Sequence, residues 1–160
     1  MKRLMMVAMM MAWFLTASCM AQELGGVPRS IKTPEQIAEW FSSEFQYRIK
    51  IPDRPQSPSE TLQLKSGDCD DLATLASLVL SDSGISSNVV IIKFQGLNIR
   101  HAICIWKDKD GTYSFLSNKE LQRTGQRDIR RAIQKFYPDM EAITFLDAGK
   151  EYSGNTAGVR

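Results

Sequence analysis

Between Cys69 and Ser83 the chain writes a helix with almost no polar face. Leu72, Leu75, Ala76 and Val79 recur at i, i+3, i+4 and i+7, and Leu78 and Leu80 widen the apolar surface beyond a single stripe. Such a helix is stable only when other elements cover it, so the rest of the chain has to supply that cover. Ser83-Gly84 is its stop signal.

The segments that follow are suited to the task. Val89-Val90-Ile91-Ile92-Lys93-Phe94 is rich in β-branched residues and predicts a strand. Ile99 to Trp106 predicts a second, and Asp108-Lys109-Asp110-Gly111 reads as a hairpin turn into a third, Tyr113 to Ser117. Upstream, Thr33 is an N-cap, Pro34 suits the first helical position and Gln36 completes a capping box. Ile37, Trp40, Phe41 and Phe45 then predict a helix running to about Ile49. Pro52, Pro55 and Pro58 make Ile51 to Thr61 a loop. A short helix is expected from Asp128 to Phe136, before Pro138, and a last strand from Ile143 to Leu146. Trp40, Phe41, Phe45 and Trp106 read as core. Helices first and antiparallel strands after them indicate an α+β domain with the apolar helix packed on the sheet.

The ends of the chain read differently. Lys2 and Arg3, the apolar stretch Leu4 to Leu15 and the small residues up to Ala21 have the layout of an export signal over residues 1–21. Leu15-Thr16-Ala17-Ser18-Cys19 also resembles a lipobox, in which Cys19 would carry a lipid; plain secretion is the preferred reading. Residues 22–32 are expected to form an extended leader, 33–149 the domain, and 150–160 a loose tail. The 20 basic and 18 acidic side chains become equal in number once Lys2 and Arg3 are set aside. A neutral domain without a basic run excludes a nucleic-acid binder. The expectation is therefore an exported monomer of the periplasm or cell surface, in contact with membrane only through a lipid at Cys19.

Chemistry concentrates where the apolar helix begins. Cys69 stands at the turn from loop into helix, where free backbone N–H groups favour a thiolate and can serve an oxyanion. Gly67 permits an unusual backbone angle and close approach of a substrate. Asp68 reads as the N-cap, with Asp70 and Asp71 in the first turn; turned toward the sulfur they would raise its pKa. The three acids can also hold Ca²⁺, although capping and solvation are the commoner use of such residues. Gln63 is a further oxyanion candidate, with a surface position the commoner outcome. The chain has a single histidine, His101, so an imidazole base can only be His101. Strand alternation puts His101, Ile103 and Ile105 on one face and Ala102, Cys104 and Trp106 on the other. If His101 faces Cys69, Cys104 faces away, and a Cys69–Cys104 disulfide is not expected.

Ser66-Gly67-Asp68-Cys69-Asp70-Asp71-Leu72-Ala73 and its apolar helix resemble the nucleophile motif of the transglutaminase-like superfamily. His101-Ala102-Ile103-Cys104-Ile105-Trp106 and Tyr113-Ser114-Phe115-Leu116-Ser117-Asn118 resemble that family's histidine strand and third-residue strand, and Pro58-Ser59-Glu60-Thr61-Leu62 its approach to the cysteine. The likeness covers roughly residues 33–120 and is closest to short bacterial transglutaminase-like cysteine proteinases. It implies a papain-like fold and a cysteine hydrolase of protein or peptide substrates, with Cys69 as nucleophile, His101 as base, and no required cofactor. The third position, usually Asp, is here Ser117-Asn118. One of these two is expected to orient His101, since strand neighbours face opposite sides. The missing carboxylate opens a second reading, a catalytically silent binding module; a third, an acyltransferase to amines, differs from hydrolysis only in whether water or an amine reaches the thioester.

Overall fold

The computed structural model describes residues 25–52 and 54–146; the predicted export signal and the predicted tail lie outside the described residues. Among the described residues four helices and seven strands follow the order α1 (Pro34–Glu44), β1 (Gln46–Tyr47), α2 (Pro58–Leu64), β2 (Ser66–Gly67), α3 (Cys69–Asp82), β3 (Ser87–Phe94), β4 (Arg100–Lys107), β5 (Tyr113–Ser117), β6 (Glu120–Gln126), α4 (Ile129–Gln134) and β7 (Met140–Leu146). Strands β3 to β7 form one antiparallel sheet in the order β6-β5-β4-β3-β7, and β1 and β2 form a separate parallel pair.

The sheet separates two apolar clusters. On one face Val89, Ala102, Cys104, Trp106 and Leu116 meet Leu72, Leu75, Ala76 and Val79 of α3, with Ile37, Trp40 and Phe41 of α1 and Leu62 of α2 behind them. On the other face Val90, Ile92, Ile103, Ile105 and Phe115 meet Ile133 of α4. The apolar helix is therefore covered on both sides, as its sequence demands: Leu72, Leu75, Ala76 and Leu80 are fully buried. Trp40, Phe41, Phe45 and Trp106 are core residues, as expected.

Several boundaries differ from expectation. Helix α1 stops at Glu44, short of Ile49, because Phe45 takes an extended conformation and buries its ring against Trp40 and Phe41. The chain then runs as β1 beside Ser66 and Gly67. The expected loop through Thr61 ends earlier, at α2. Ser57 caps that helix by accepting from the Glu60 N–H, and Pro58 occupies its first turn, so this proline starts a helix instead of preventing one. Strand β6 has no counterpart in the sequence reading. It is an edge strand, polar along most of its length, and of its residues only Thr124 is buried. The described part of the expected leader, 25–32, forms turns, with Val27 and Ile31 packed on the core.

Candidate active site at the start of the apolar helix

The β1–β2 pair fixes the approach to Cys69. Gln46 N–H donates to Lys65 O and Arg48 N–H to Gly67 O, both at 2.9 Å, which pins Ser66-Gly67 immediately ahead of the helix. Asp68 is the N-cap residue and Cys69 the first residue of α3.

Asp71 ties this corner together. Its carboxylate accepts from the Gln56 backbone N–H (2.7 Å), Gln56 Nε2 (2.7 Å) and the Asp68 N–H (3.1 Å), and pairs with Lys50 Nζ at 2.9 Å. Burial works against this charge, but Lys50, Gln56 and the Asp68 N–H outweigh it and hold the carboxyl below its ordinary value. A solvated first-turn acid was expected here; the side chain is instead 1% exposed. Gln56 and Lys50 lie in a proline-rich stretch where nothing in the spacing signals a partner fifteen or more residues away.

Gly67 has a different purpose from the expected one. Its φ lies outside the left-handed region. A Cβ there would meet Asp71 Cβ at 2.6 Å, Asp71 Oδ2 at 2.9 Å and Gln56 Nε2 at 3.1 Å. The missing side chain makes room for the Asp71 network. Gly67→Ala is expected to destabilise the protein by about 1–3 kcal/mol, the usual cost of forcing an extra group into a packed site; chemical denaturation measures this, and an unchanged midpoint refutes it.

Cys69 is half-buried and free. Burial pushes its thiol up, the Ala102 N–H pulls it down, Asp70 and Asp68 push it further up, and the Asp70 N–H pulls down; the net direction is upward. The expected lowering by the helix start is thus outweighed by desolvation and the two flanking acids. The Ala102 contact brings the sulfur against β4, beside the residue that follows His101.

His101 Nε2 lies 2.9 Å from Ser117 Oγ. The β4–β5 ladder ends at the Ile103–Ser117 pair, so Ser117 is the last strand residue and sits diagonally across from His101. Asn118, the other orienting candidate, takes the following turn with φ 54°. It makes no hydrogen bond to the ring, and its Oδ1 is buried without a partner. Ser117, not Asn118, therefore contacts the imidazole, and strand alternation is the reason. Burial lowers the His101 pKa below its ordinary value. Ser117 Oγ also lies 2.7 Å from Tyr137 Oη, and the Tyr137 ring packs against His101 with centroids 5.5 Å apart. Tyr137 follows a short helix and carried no sequence signal. A charge on Cys69 would raise its phenol, which places both residues in one electrostatic neighbourhood.

Strand alternation does not separate Cys104 from Cys69, contrary to expectation. Cys104 faces α3, the helix that carries Cys69, while Ile103 and Ile105 face α4. Distance along the helix keeps the cysteines apart: Cys104 lies beside Ser77 and Ser87, and Ser77 is eight residues, or about 12 Å of helix, beyond Cys69. Both thiols are free, and burial pushes Cys104 up to about 12. Gln63 is exposed on α2.

Asp68, Asp70 and Asp71 each present an oxygen within 4.8 Å of the others. The donor set fits a hard cation in part. Asp71 is already committed to Lys50 and Gln56, whereas Asp68 Oδ1 is buried without a partner. Burial, then Asp70 and Asp71, push the Asp68 carboxyl up to about 8.

The fold has counterparts among solved structures. Legionella pneumophila LapG in its calcium-bound form aligns with a TM-score of 0.50 at 18% identity, covering 67% of this chain and 59% of that one. A second structure of Legionella pneumophila LapG aligns with the same TM-score, identity and coverage. The chain thus spans less than two thirds of the LapG length. No curated protein matches. Residues 16–124, more than half of the chain, match the family model described as transglutaminase-like domain, and with its helix-on-antiparallel-sheet fold the chain belongs to that family.

Proposed function

We propose that this protein is an exported cysteine hydrolase that cleaves peptide or amide bonds, working as a monomer in the periplasm or at the cell surface. What carries the reading is the hydrogen bond between His101 Nε2 and Ser117 Oγ at 2.9 Å, on a strand whose Ala102 lies in the apolar cluster against which Cys69 packs. With Nε2 engaged, Nδ1 is the nitrogen left to act as base.

Because the thiol is raised and the imidazole lowered, the resting pair is neutral. His101 Nδ1 takes the thiol proton as sulfur attacks the carbonyl carbon, and the Cys69 N–H at the start of α3, which has no other partner among the described residues, donates to the oxyanion. The imidazolium returns that proton to the leaving amine, which departs as the thioester forms. Water, deprotonated by His101, then releases the acid and restores the thiol. A protein or peptide substrate fits this chemistry. Hydrolysis requires no cofactor, but a hard cation such as Ca²⁺ held by Asp68 and Asp70 would offset the carboxylate charge that raises the Cys69 thiol. Ca²⁺ added to chelator-treated protein is expected to raise the alkylation rate of Cys69; an unchanged rate removes the cation from the account.

The serine in place of a carboxylate favours a second reading, a binding module without turnover. Incubation with a proteome-derived peptide library, analysed by mass spectrometry against a Cys69→Ala control, separates the alternatives. New peptide ends made only by the protein with Cys69 support hydrolysis. Hydroxamates formed with added hydroxylamine and no new ends in its absence point to acyl transfer. Identical libraries from both proteins refute catalysis on peptides.

A further inference from the structure

The group facing His101 is a hydroxyl, and this raises a question that a carboxylate would not. An ionised carboxylate only accepts hydrogen bonds, so it holds a neighbouring imidazole in one tautomer. A serine hydroxyl donates as well as accepts and can satisfy either tautomer. When it donates to Nε2, the ring proton moves to Nδ1 and no ring nitrogen is left free to act as base. Ser117 has a second partner, however. Tyr137 Oη lies 2.7 Å from its oxygen, and the Tyr137 ring is fixed between His101 at 5.5 Å, Phe94 at 6.0 Å and Phe115 at 6.1 Å. Burial holds the phenol above its ordinary value against the opposing Ser117 hydrogen bond, and Glu120 and Cys69 add to the rise. Tyr137 therefore stays protonated at neutral pH.

We propose that Tyr137 is a positioning residue: by accepting the Ser117 hydroxyl hydrogen, it turns the Ser117 oxygen into an acceptor for His101 Nε2–H and keeps Nδ1 free as the base. The inference rests on the Cys69–His101 reading above. The chain of donors runs outward, from His101 Nε2–H to Ser117 Oγ and from Ser117 O–H to Tyr137 Oη. Two hydroxyls in series thus perform the orientation that a single carboxylate performs when it fills the third position. They add no formal charge, so the imidazolium formed in the reaction is held by dipoles and by the face of the Tyr137 ring.

His101 is the chain's single histidine, so ¹⁵N-labelled histidine reports one imidazole in the whole protein. Above the titration of the ring, the wild-type spectrum is expected to show a protonated Nε2 and a bare Nδ1. Tyr137→Phe keeps the ring and removes the acceptor. Its spectrum is expected to become a mixture of tautomers, and Cys69 alkylation at neutral pH to fall roughly two- to tenfold as the base is shared between forms. Adding Ser117→Asp to Tyr137→Phe is expected to restore the single Nε2–H tautomer, which a folding defect would not allow. A Tyr137→Phe spectrum identical to wild type overturns the inference, as does a double variant that stays mixed. Failure of the Cys69–His101 reading looks different: His101→Ala would then leave Cys69 alkylation unchanged, whatever the tautomer.

Discussion

Asp71→Ala is expected to lower stability by about 3–5 kcal/mol, the cost of removing one partner from a buried ion pair. The carboxylate accepts three hydrogen bonds and pairs with Lys50 while almost wholly buried. Its loss strands the Gln56 backbone N–H and the Asp68 N–H, leaves the Gln56 amide with Ser66 O as its remaining acceptor, and removes the carboxylate partner of Lys50. A hole also opens beneath Gly67, whose lack of a side chain exists to admit this residue. Asp71→Asn keeps the shape and one carbonyl acceptor and is expected to lose less. The pH profile gives a second readout. The Asp71 carboxyl sits below its ordinary value in the folded protein, so its stabilisation is present above the unfolded value and is lost as pH falls through the folded one. Acid unfolding of Asp71→Asn should therefore be shallower than that of wild type over that range. Equal denaturation midpoints for all three proteins would show that the network contributes nothing.

His101→Ala is expected to reduce turnover by about 10²–10⁴-fold, the usual contribution of a positioned acid–base group. The upper part of that range is expected because the thiol is raised by burial and by Asp70 and Asp68. Without a base, few molecules carry a thiolate near neutrality. Raising the pH should recover part of the loss, since the thiolate then forms without help. Added imidazole should recover part of it too, because the half-buried ring leaves a space of its own shape. Turnover within twofold of wild type in His101→Ala would remove this residue from the mechanism. The same experiment on Ser117→Ala should show a smaller loss, because Ser117 acts through the ring and not on the substrate.

The sequence carried the fold well where a single periodicity decided the outcome. The α3 helix, strands β3 to β5 and the Thr33 capping box all lie close to where apolar spacing or cap chemistry puts them. It carried less where a distant partner decides. Phe45 leaves the helix because its ring belongs with Trp40 and Phe41. Strand β6 is polar because it lies on the edge of the sheet. Cys69 and His101 were legible as candidates from position and from the lone histidine. Ser117 and Asn118 were separable only once the end of β5 was known, because strand parity depends on the last paired residue. Tyr137, Gln56 and Lys50 reach the site through tertiary contacts that no local pattern encodes. The direction of the Cys69 shift was also beyond local reading. Helix position lowers a thiol pKa, but burial and the orientation of Asp68 and Asp70 depend on the whole fold.

The central claim is that Cys69 and His101 act as one unit. The rate of Cys69 alkylation against pH, in wild type and in His101→Ala, tests it most directly. Mass spectrometry of the Cys69 peptide gives the rate without interference from the buried Cys104. The wild-type rate at neutral pH should exceed that of His101→Ala by about tenfold or more, with the curves converging at high pH, where the raised thiol ionises unaided. Superimposable curves across the whole range would contradict the account.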